Sequence, residues 1–276
     1  MRADPAQFDD VPAALAQARV RRSDRPWSGY LLILVLLSLW ELASDLKVVD
    51  PFFLPPVRSI AAAGVNLLLS GDLFSHLGTS AWHLALGYSV GVILAIAIGL
   101  LIGYYREAYK ALSPLIELLR PLPSAALIPV AILFLGIGDS MKIFIIAWAA
   151  FFPVVINTSD GVRGVDTVLL DTARTFQLTQ WELFRSILIP ATAPQVVTGM
   201  RISLGIAIIL VVISEMVAGN TGIGYLILNA QRSFEVPAMF AAIFVLVICG
   251  YSLSQMFIWV EHRKLRWRYL SEQQER

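Results

Sequence analysis

Long apolar stretches separated by short charged segments dominate the chain. Two of them, Trp82–Tyr105 and Val236–Val260, contain no Asp, Glu, Lys or Arg. At about 1.5 Å of rise per residue, a helix of either length exceeds the roughly 30 Å hydrocarbon core of a bilayer. Four further segments are apolar over most of their length: Tyr30–Leu46, Leu122–Gly138, Ile143–Asn157 and Gln195–Ala218. The pattern predicts an all-α integral membrane protein with six transmembrane helices.

Composition supports the same fold class. Of the 276 residues, 57% are hydrophobic and only 15% are charged, and the mean hydropathy is +0.71. Soluble globular domains carry roughly a quarter charged residues. We therefore expect the lipid bilayer to be the main surroundings of this chain. The net charge of +1 says little about partners, and no nucleic-acid partner is expected.

The pattern divides the chain into four parts. Residues 1–28 are predicted to be a cytoplasmic tail, and residues 29–78 the first span followed by a proline-rich stretch and an interfacial helix on the outer face. Residues 79–262 form the membrane core, and residues 263–276 a basic cytoplasmic tail. The core includes a predicted turn at Gly219–Gly224, where Gly and Asn accept positive φ.

Basic residues predict the sidedness, because Lys and Arg in short loops stay on the cytoplasmic face. With the amino terminus inside, 16 of the 21 Lys and Arg residues fall on the cytoplasmic side and 4 on the outer side. Arg120 is one of the residues assigned to the cytoplasmic side. Both termini and the segment 160–186 are therefore expected in the cytoplasm, and no signal-peptide pattern precedes the first span.

The segment 160–186 carries too much charge for the hydrocarbon core. Its apolar residues recur at three- and four-residue steps, as in a pair of amphipathic helices. The apolar side needs a cover, which is either the membrane ends of its own spans or a soluble partner. Periodicity alone favours neither.

Glycines and prolines predict how the core helices pack. Gly87 and Gly91, and again Gly99 and Gly103, lie four residues apart on one helix face, which indicates a close helix crossing. Pro123 and Pro129 remove intrahelical donors from the third span and should break it. A broken helix is tolerated only against protein or water, so the third span should face inward.

Candidate chemistry is sparse. No lysine follows a glycine as a phosphate-binding loop requires, the three histidines are too scattered for a zinc site, and no nucleophile motif suggests an enzyme. We therefore predict no catalytic residue, metal or cofactor, and Cys249 is expected to be a packed apolar residue. Glu215, in an apolar run, should either face a cavity or partner or form a structural hydrogen bond.

A longer pattern resembles a known family. Asp171-Thr172-Ala173, Gln177 and the run Ile187–Pro190 resemble the cytoplasmic EAA loop of ATP-binding-cassette (ABC) importer permeases. From about Leu84 to Trp267 the chain is similar to the nitrate, sulfonate, taurine and bicarbonate branch of these permeases. The residues that carry this similarity are Arg120–Pro123, Ala126–Pro129, Leu135–Gly138, Lys142-Ile143, Phe152-Pro153, Asn157-Thr158, Gly161–Arg163, Gly199–Arg201, Ser214–Met216 and Gly222–Tyr225.

The resemblance implies a type I ABC importer fold, a homodimer in the bacterial inner membrane, and a coupling helix in the loop 160–186 that docks on a separate ABC ATPase subunit. A periplasmic binding protein would deliver the solute. By this resemblance we assign ATPase coupling to one set of residues and the translocation pathway to another. The first set is Asp171, Thr172, Ala173, Gln177, Ile187 and Pro190, and the second is Glu215, Met216, Pro129 and Asn157.

Two points stay open at this level. Gln177 stands where the motif has glycine, which implies either a different turn or a left-handed side chain. The solute is expected to be a small anion such as a sulfonate, nitrate, bicarbonate or a related organic acid. The competing hypotheses are a proton-coupled secondary transporter that uses Glu215 and, with less support, a membrane enzyme.

Overall fold

The computed structural model of the chain describes residues 27–264, which are helical and contain no β-strand. A 3₁₀ turn spans Ser124–Leu127, and a π-helical turn spans Phe184–Leu188. The predicted tails lie outside the described residues, except for 27–28 and 263–264. The helices are α1 (Trp27–Asp45), α2 (Val57–Leu69), α3 (Asp72–Tyr104), α4 (Arg106–Leu119), α5 (Ile128–Leu135), α6 (Asp139–Arg163), α7 (Thr167–Thr175), α8 (Gln180–Leu183), α9 (Ile189–Ala218), α10 (Ile223–Arg232) and α11 (Val236–Lys264).

The described residues divide into two compact units, with the boundary between Arg58 and Ser59. In the first unit, the proline-rich segment folds back on the end of α1. The Trp40 indole donates a hydrogen bond to the Pro55 carbonyl at 3.1 Å, and the Ser44 hydroxyl donates to the Leu54 carbonyl at 2.9 Å. Because these bonds satisfy backbone acceptors that no helix pairs, they fix the proline-rich segment, which begins with a turn at residues 51–54.

Four helical segments of the described residues are long and apolar enough to span a membrane: α3, α6, the continuous run Gln180–Ala218, and α11. A fifth span is present if α4 and the segment Ser124–Leu135, which meet at 89°, count as one broken span. The first predicted span coincides with α1, which is not among these segments. The structure therefore supports four or five spans, and the count of six is not confirmed.

Glycines set the contact between α3 and α6. A Cβ atom built on Gly87 would lie 2.7 Å from the Ile146 side chain, and one on Gly99 would lie 2.6 Å from the Thr158 side chain. Gly91 and Gly103 are similarly blocked by α6. Residues with higher numbers on α3 contact residues with higher numbers on α6, so the two helices run parallel. Their backbones are in direct contact. The close crossing predicted from the four-residue glycine spacing is confirmed.

Helix α9 runs antiparallel to α6. Gly199 lies against the Pro153–Asn157 turn, whereas Gly161, further along α6, lies against Gln195, which is earlier on α9. The core therefore has two ends. We call the end that holds Tyr104 and Arg163 the loop end, because α7 and α8 connect there, and the other the Glu215 end.

The third predicted span, Leu122–Gly138, is not one continuous α-helix, in agreement with the kink or break predicted from its prolines. Helix α4 ends at Leu119, Pro123 caps the 3₁₀ turn, and Pro129 occupies the first turn of α5. Each proline lacks the N–H group that a continuous helix would need at that point. The chain therefore turns sharply between α4 and α5 before it enters α6.

Candidate functional site

The charged segment at the loop end folds into two short helices. At the start of α7, the Asp166 carboxylate accepts a hydrogen bond from the Val168 N–H at 2.8 Å, which is a standard N-cap. Asp171 and Arg174 form an exposed i,i+3 ion pair at 3.0 Å. Helix α8 begins with a reciprocal capping box between Thr179 and Glu182. Both helices are thus specified locally by the sequence.

The turn between α7 and α8 answers the question raised by Gln177. Its φ is +53°, so the backbone of Gln177 adopts the left-handed conformation, which is one of the two predicted alternatives. The Gln177 N–H donates to the Arg174 carbonyl at 2.9 Å, and the Leu178 N–H donates to the Ala173 carbonyl at 3.1 Å. These bonds form a Schellman motif, in which glycine is usual at the left-handed position. The turn therefore has glycine-like geometry without the glycine.

The solvent-exposed side of these two helices carries apolar side chains. The exposed fractions of Phe176, Trp181 and Val168 are 74%, 70% and 66%. Leu188, by contrast, is 1% exposed and packs with Val162 and Val165 at the end of α6. We call the exposed side chains of Val168, Phe176 and Trp181 the loop face.

The residues predicted to couple to an ATPase differ in exposure. Ala173 is 3% exposed and faces the protein, so substituting it with a charged residue would perturb folding as well as docking. Ile187 is half-buried within the π-helical turn. The remaining predicted residues are exposed, namely Asp171, Thr172, Gln177 and Pro190.

At the opposite end, Glu215 is completely buried and fully hydrogen-bonded. Its carboxylate accepts a bond from the Ser80 hydroxyl at 2.8 Å and one from the Gly224 N–H at 3.0 Å, and it lies 2.9 Å from His83 Nδ1. A buried carboxylate is tolerated only when partners replace its lost hydration. Glu215 therefore joins α3, α9 and the start of α10.

His83 extends this cluster to α6. Its Nε2 lies 3.0 Å from Asp139 Oδ1, and Asp139 in turn lies 3.5 Å from Lys142 Nζ. The imidazole is fully buried between two carboxylates. An imidazolium ring donates to both of them, whereas a neutral ring has only one N–H to donate. We call Glu215, His83, Ser80, Asp139 and Lys142 the Glu215 cluster.

Gly222 fixes how the following loop meets this cluster. Its φ is +109°, and a Cβ atom at this position would overlap the Glu215 carboxylate. The Gly222 N–H donates to His76 Nδ1 at 3.0 Å, and the Ile223 N–H donates to the Ser80 hydroxyl at 2.8 Å. Side chains of α3 and α9 thus cap the N-terminus of α10, where a carboxylate is also favoured by the helix dipole. The chain is non-helical at residues 219–222, as the predicted turn requires, whereas Ile223 and Gly224 of the predicted turn belong to α10.

Sequence reasoning identified Glu215 but missed its partner. His83 lies 132 positions away in the sequence, and the three histidines were considered there only as a possible zinc site. The available signal was an ionisable residue at the start of an otherwise uncharged apolar run, which by itself indicates a buried polar contact. Met216 lies beside Glu215 on α9 and is half-buried.

A cavity of about 340 Å³ lies on the α6–α9 face, between the two ends. It contains Asn157, one of the predicted pathway residues, whose amide donates to the Pro153 carbonyl at 2.7 Å. It also contains Arg120, which the basic-residue count had placed among cytoplasmic segments. Pro129 is exposed on α5 and does not line this cavity. The predicted pathway residues are therefore distributed over three places.

Comparison with known proteins identifies the family. Residues 87–266 match the model of the binding-protein-dependent transport system inner membrane component family. The chain belongs to this family. It is 36% identical over 241 residues to the putative aliphatic sulfonates transport permease SsuC of Bacillus subtilis, covering 87% of each protein. It is 33% identical over 242 residues to SsuC of Escherichia coli, covering 88% of this chain and 91% of that protein.

A solved structure supports the fold. The inward-facing MetNI methionine ABC transporter superimposes with a TM-score of 0.56 at 20% identity, covering 69% of this chain and 95% of that chain. This agreement concerns the fold alone. The family match and the SsuC relatives identify the protein as an integral membrane permease subunit of an ABC transporter, a transport component rather than an enzyme.

Proposed function

We propose that this permease forms the translocation pathway of a type I ABC importer for small organic anions, with aliphatic sulfonates as the first candidate class. The sulfonate permeases named above support this solute class, because they align along nearly their whole length. The importer would be a homodimer in a bacterial inner membrane with six spans per subunit and both termini in the cytoplasm. Its further partners would be two ABC ATPase subunits and a periplasmic binding protein.

The observation that carries the coupling role is the loop face. Three large apolar side chains are exposed on a loop whose charge keeps it out of the hydrocarbon core. Exposed apolar patches of this kind mark protein interfaces. We infer that the loop 160–186 docks on the ATPase through Val168, Phe176 and Trp181. The exposed residues Asp171, Thr172, Gln177 and Pro190 would lie at the edge of that contact.

The Glu215 cluster would hold the outer side of the permease together. Its bonds connect α3, α6, α9 and α10 at the end opposite the loop, which is the outer end in the proposed orientation. Both carboxylate oxygens of Glu215 already have protein partners, so we propose that Glu215 positions the outer loop instead of touching the solute. The comparisons offer no support for the proton-coupled alternative.

Reconstitution tests the proposed function. The permease is purified with its co-expressed ATPase and placed in proteoliposomes with the binding protein, and uptake of labelled hexanesulfonate and taurine is measured. We expect accumulation that requires ATP and the binding protein. The matched control carries an ATPase variant that binds but does not hydrolyse ATP.

Two results would contradict the proposal. Accumulation driven by a pH gradient without ATP would favour a proton-coupled transporter. ATP-dependent uptake of uncharged solutes, with no uptake of sulfonates or other organic acids, would refute the solute class and leave the ABC assignment intact.

A further inference from the structure

The cavity between α6 and α9 has the composition of an organic-anion site. Its volume is about 340 Å³, and its lining includes Arg120, Phe152, Pro153, Asn157, Ile202 and Ile206. We propose that this cavity is a transit site for the solute and that the Arg120 guanidinium binds the anionic group. The inference rests on the proposed function and adds to it a specific residue and a shape requirement.

The first argument is the depth of the cavity. Pro153 lies near the middle of α6 (139–163), and Ile202 and Ile206 lie near the middle of α9 (189–218). The two helices run antiparallel and span together, so these residues share the central depth of the core. In secondary transporters, too, solute sites that are formed by broken helices lie near the middle of the membrane. Arg120 reaches it from the break that follows α4.

The second argument is the charge of Arg120. Arg120 forms no ion pair among residues 27–264, and it is the arginine whose exposed side chain lines this cavity. An unpaired cation within the membrane is costly unless it faces a water-filled cavity, and such residues mark solute pathways. The planar guanidinium presents paired donors that match two oxygens of a sulfonate or carboxylate.

The third argument is the rest of the lining. Asn157 uses one amide hydrogen on the Pro153 carbonyl at 2.7 Å and keeps another N–H for a ligand. Phe152, Ile202 and Ile206 supply apolar surface next to these polar groups. A cavity with one cationic end and apolar walls suits an anion with a hydrocarbon portion. Nitrate and bicarbonate have no such portion and would leave the walls unused.

A simpler role for Arg120 is also testable. It occupies the C-cap of α4, where a cation stabilises the helix dipole. That role affects folding but not the preference of the cavity for anions. The experiment must therefore measure charge selectivity at the cavity itself.

Charge-selective labelling makes this measurement on the complete permease–ATPase complex. Cys249, the single native cysteine, is first replaced by Ala, and Ile202, which is 51% exposed, is replaced by Cys. Labelling rates of the permease chain are followed by mass spectrometry with two thiol reagents of similar size. These are sulfonatoethyl methanethiosulfonate, which is itself an organic sulfonate, and trimethylammonioethyl methanethiosulfonate.

We expect Arg120→Gln to lower the ratio of anionic to cationic labelling by about fivefold or more, since removing a nearby charge changes local ion concentrations by such factors. Arg120→Lys, which keeps the charge, should stay within about twofold of the parent ratio. The matched control is Arg106→Gln, at the other end of α4, which should leave the ratio unchanged. Equal ratios in Arg120→Gln and Arg106→Gln would overturn the proposal.

A second measurement separates this inference from the proposed function. Hexanesulfonate is added as a competitor during labelling, and its uptake is measured in proteoliposomes. If wild type and Arg120→Gln take up hexanesulfonate equally, the transit site is refuted and the proposed function stands. If labelling depends on Arg120 but hexanesulfonate neither protects Cys introduced at position 202 nor is taken up, the anion site stands and the sulfonate class is wrong.

Discussion

Gly222→Ala offers a direct test of the Glu215 cluster. At this position φ is +109°, and the added Cβ atom would overlap the Glu215 carboxylate. The substitution therefore forces either the backbone of the loop or the carboxylate to move. Either movement breaks bonds that connect α3, α9 and α10.

The expected cost follows from two contributions. A non-glycine residue at this φ costs about 1–3 kcal/mol of backbone strain. Displacing the carboxylate weakens hydrogen bonds to a charged group, each worth about 1.5–3 kcal/mol. Because the structure relaxes in the cheapest direction, we expect the free energy of unfolding to fall by roughly 3–5 kcal/mol. For a chain of this size that corresponds to a lowering of the thermal midpoint by roughly 6–20 °C.

Gly205→Ala is the matched control. Gly205 is also associated with α9, but a Cβ atom there meets nothing within 4 Å and the φ is helical. Replacing an exposed helical glycine with alanine should stabilise the protein by about 0.5–1 kcal/mol. The two glycine-to-alanine changes are thus predicted to have opposite signs.

The assay is thermal unfolding of the purified permease–ATPase complex in detergent. The thermal midpoint of the ATPase subunit is recorded separately from that of the permease. A double-mutant cycle with Glu215→Ala isolates the contact, because removing the carboxylate makes room for the new methyl group. We expect a coupling energy of about 1–2 kcal/mol that reduces the cost of Gly222→Ala. The reasoning is refuted if Gly222→Ala is no more destabilising than Gly205→Ala, or if the cycle is additive.

Three further predictions concern the loop and the helix crossing. Gln177→Gly should relieve the left-handed strain by about 0.5–1 kcal/mol and slow amide hydrogen exchange at the end of α7, and faster exchange would contradict the Schellman assignment. Phe176→Asp should abolish coupled uptake and co-purification of the ATPase. The thermal midpoint of the permease should stay within about 2 °C of the parent value, because the side chain is 74% exposed and a surface change costs about 0.5 kcal/mol or less. Full co-purification of the ATPase would exclude this residue from the interface. Gly91→Ala should lower the thermal midpoint, because its Cβ would meet the α6 backbone and such overpacking costs about 1–3 kcal/mol. Gly78→Ala is the control, since a Cβ there meets nothing within 4 Å, and equal midpoints for the two variants would contradict the direct backbone contact.

Sequence alone determined the features that depend on local composition. Three apolar runs are long enough to require a membrane, whatever they pack against. They correspond to α3, most of α9, and α11. The four-residue glycine spacing indicated a close crossing because helical periodicity places those residues on one face. The prolines broke the third span since a missing N–H acts within one turn.

Helix lengths were underestimated where charge marks the helix ends. The fourth predicted span began at Ile143, yet α6 begins at Asp139 and includes Asp139 and Lys142. Hydropathy excluded these two residues because it scores each side chain in isolation. Their pairing at 3.5 Å, and the bond of Asp139 to His83, made them acceptable at the end of the core.

Only the tertiary structure decided what the isolated polar residues do. Glu215 and His83 are distant in sequence, and their contact exists because α3 and α9 pack around α6. The count of basic residues assigned Arg120 to the cytoplasmic side. In the structure Arg120 follows α4 at the break and lies beside the middle of α6 and α9. A side chain's chemistry depends on its partners and its access to water, and for these residues both are supplied by helices that the local sequence does not specify.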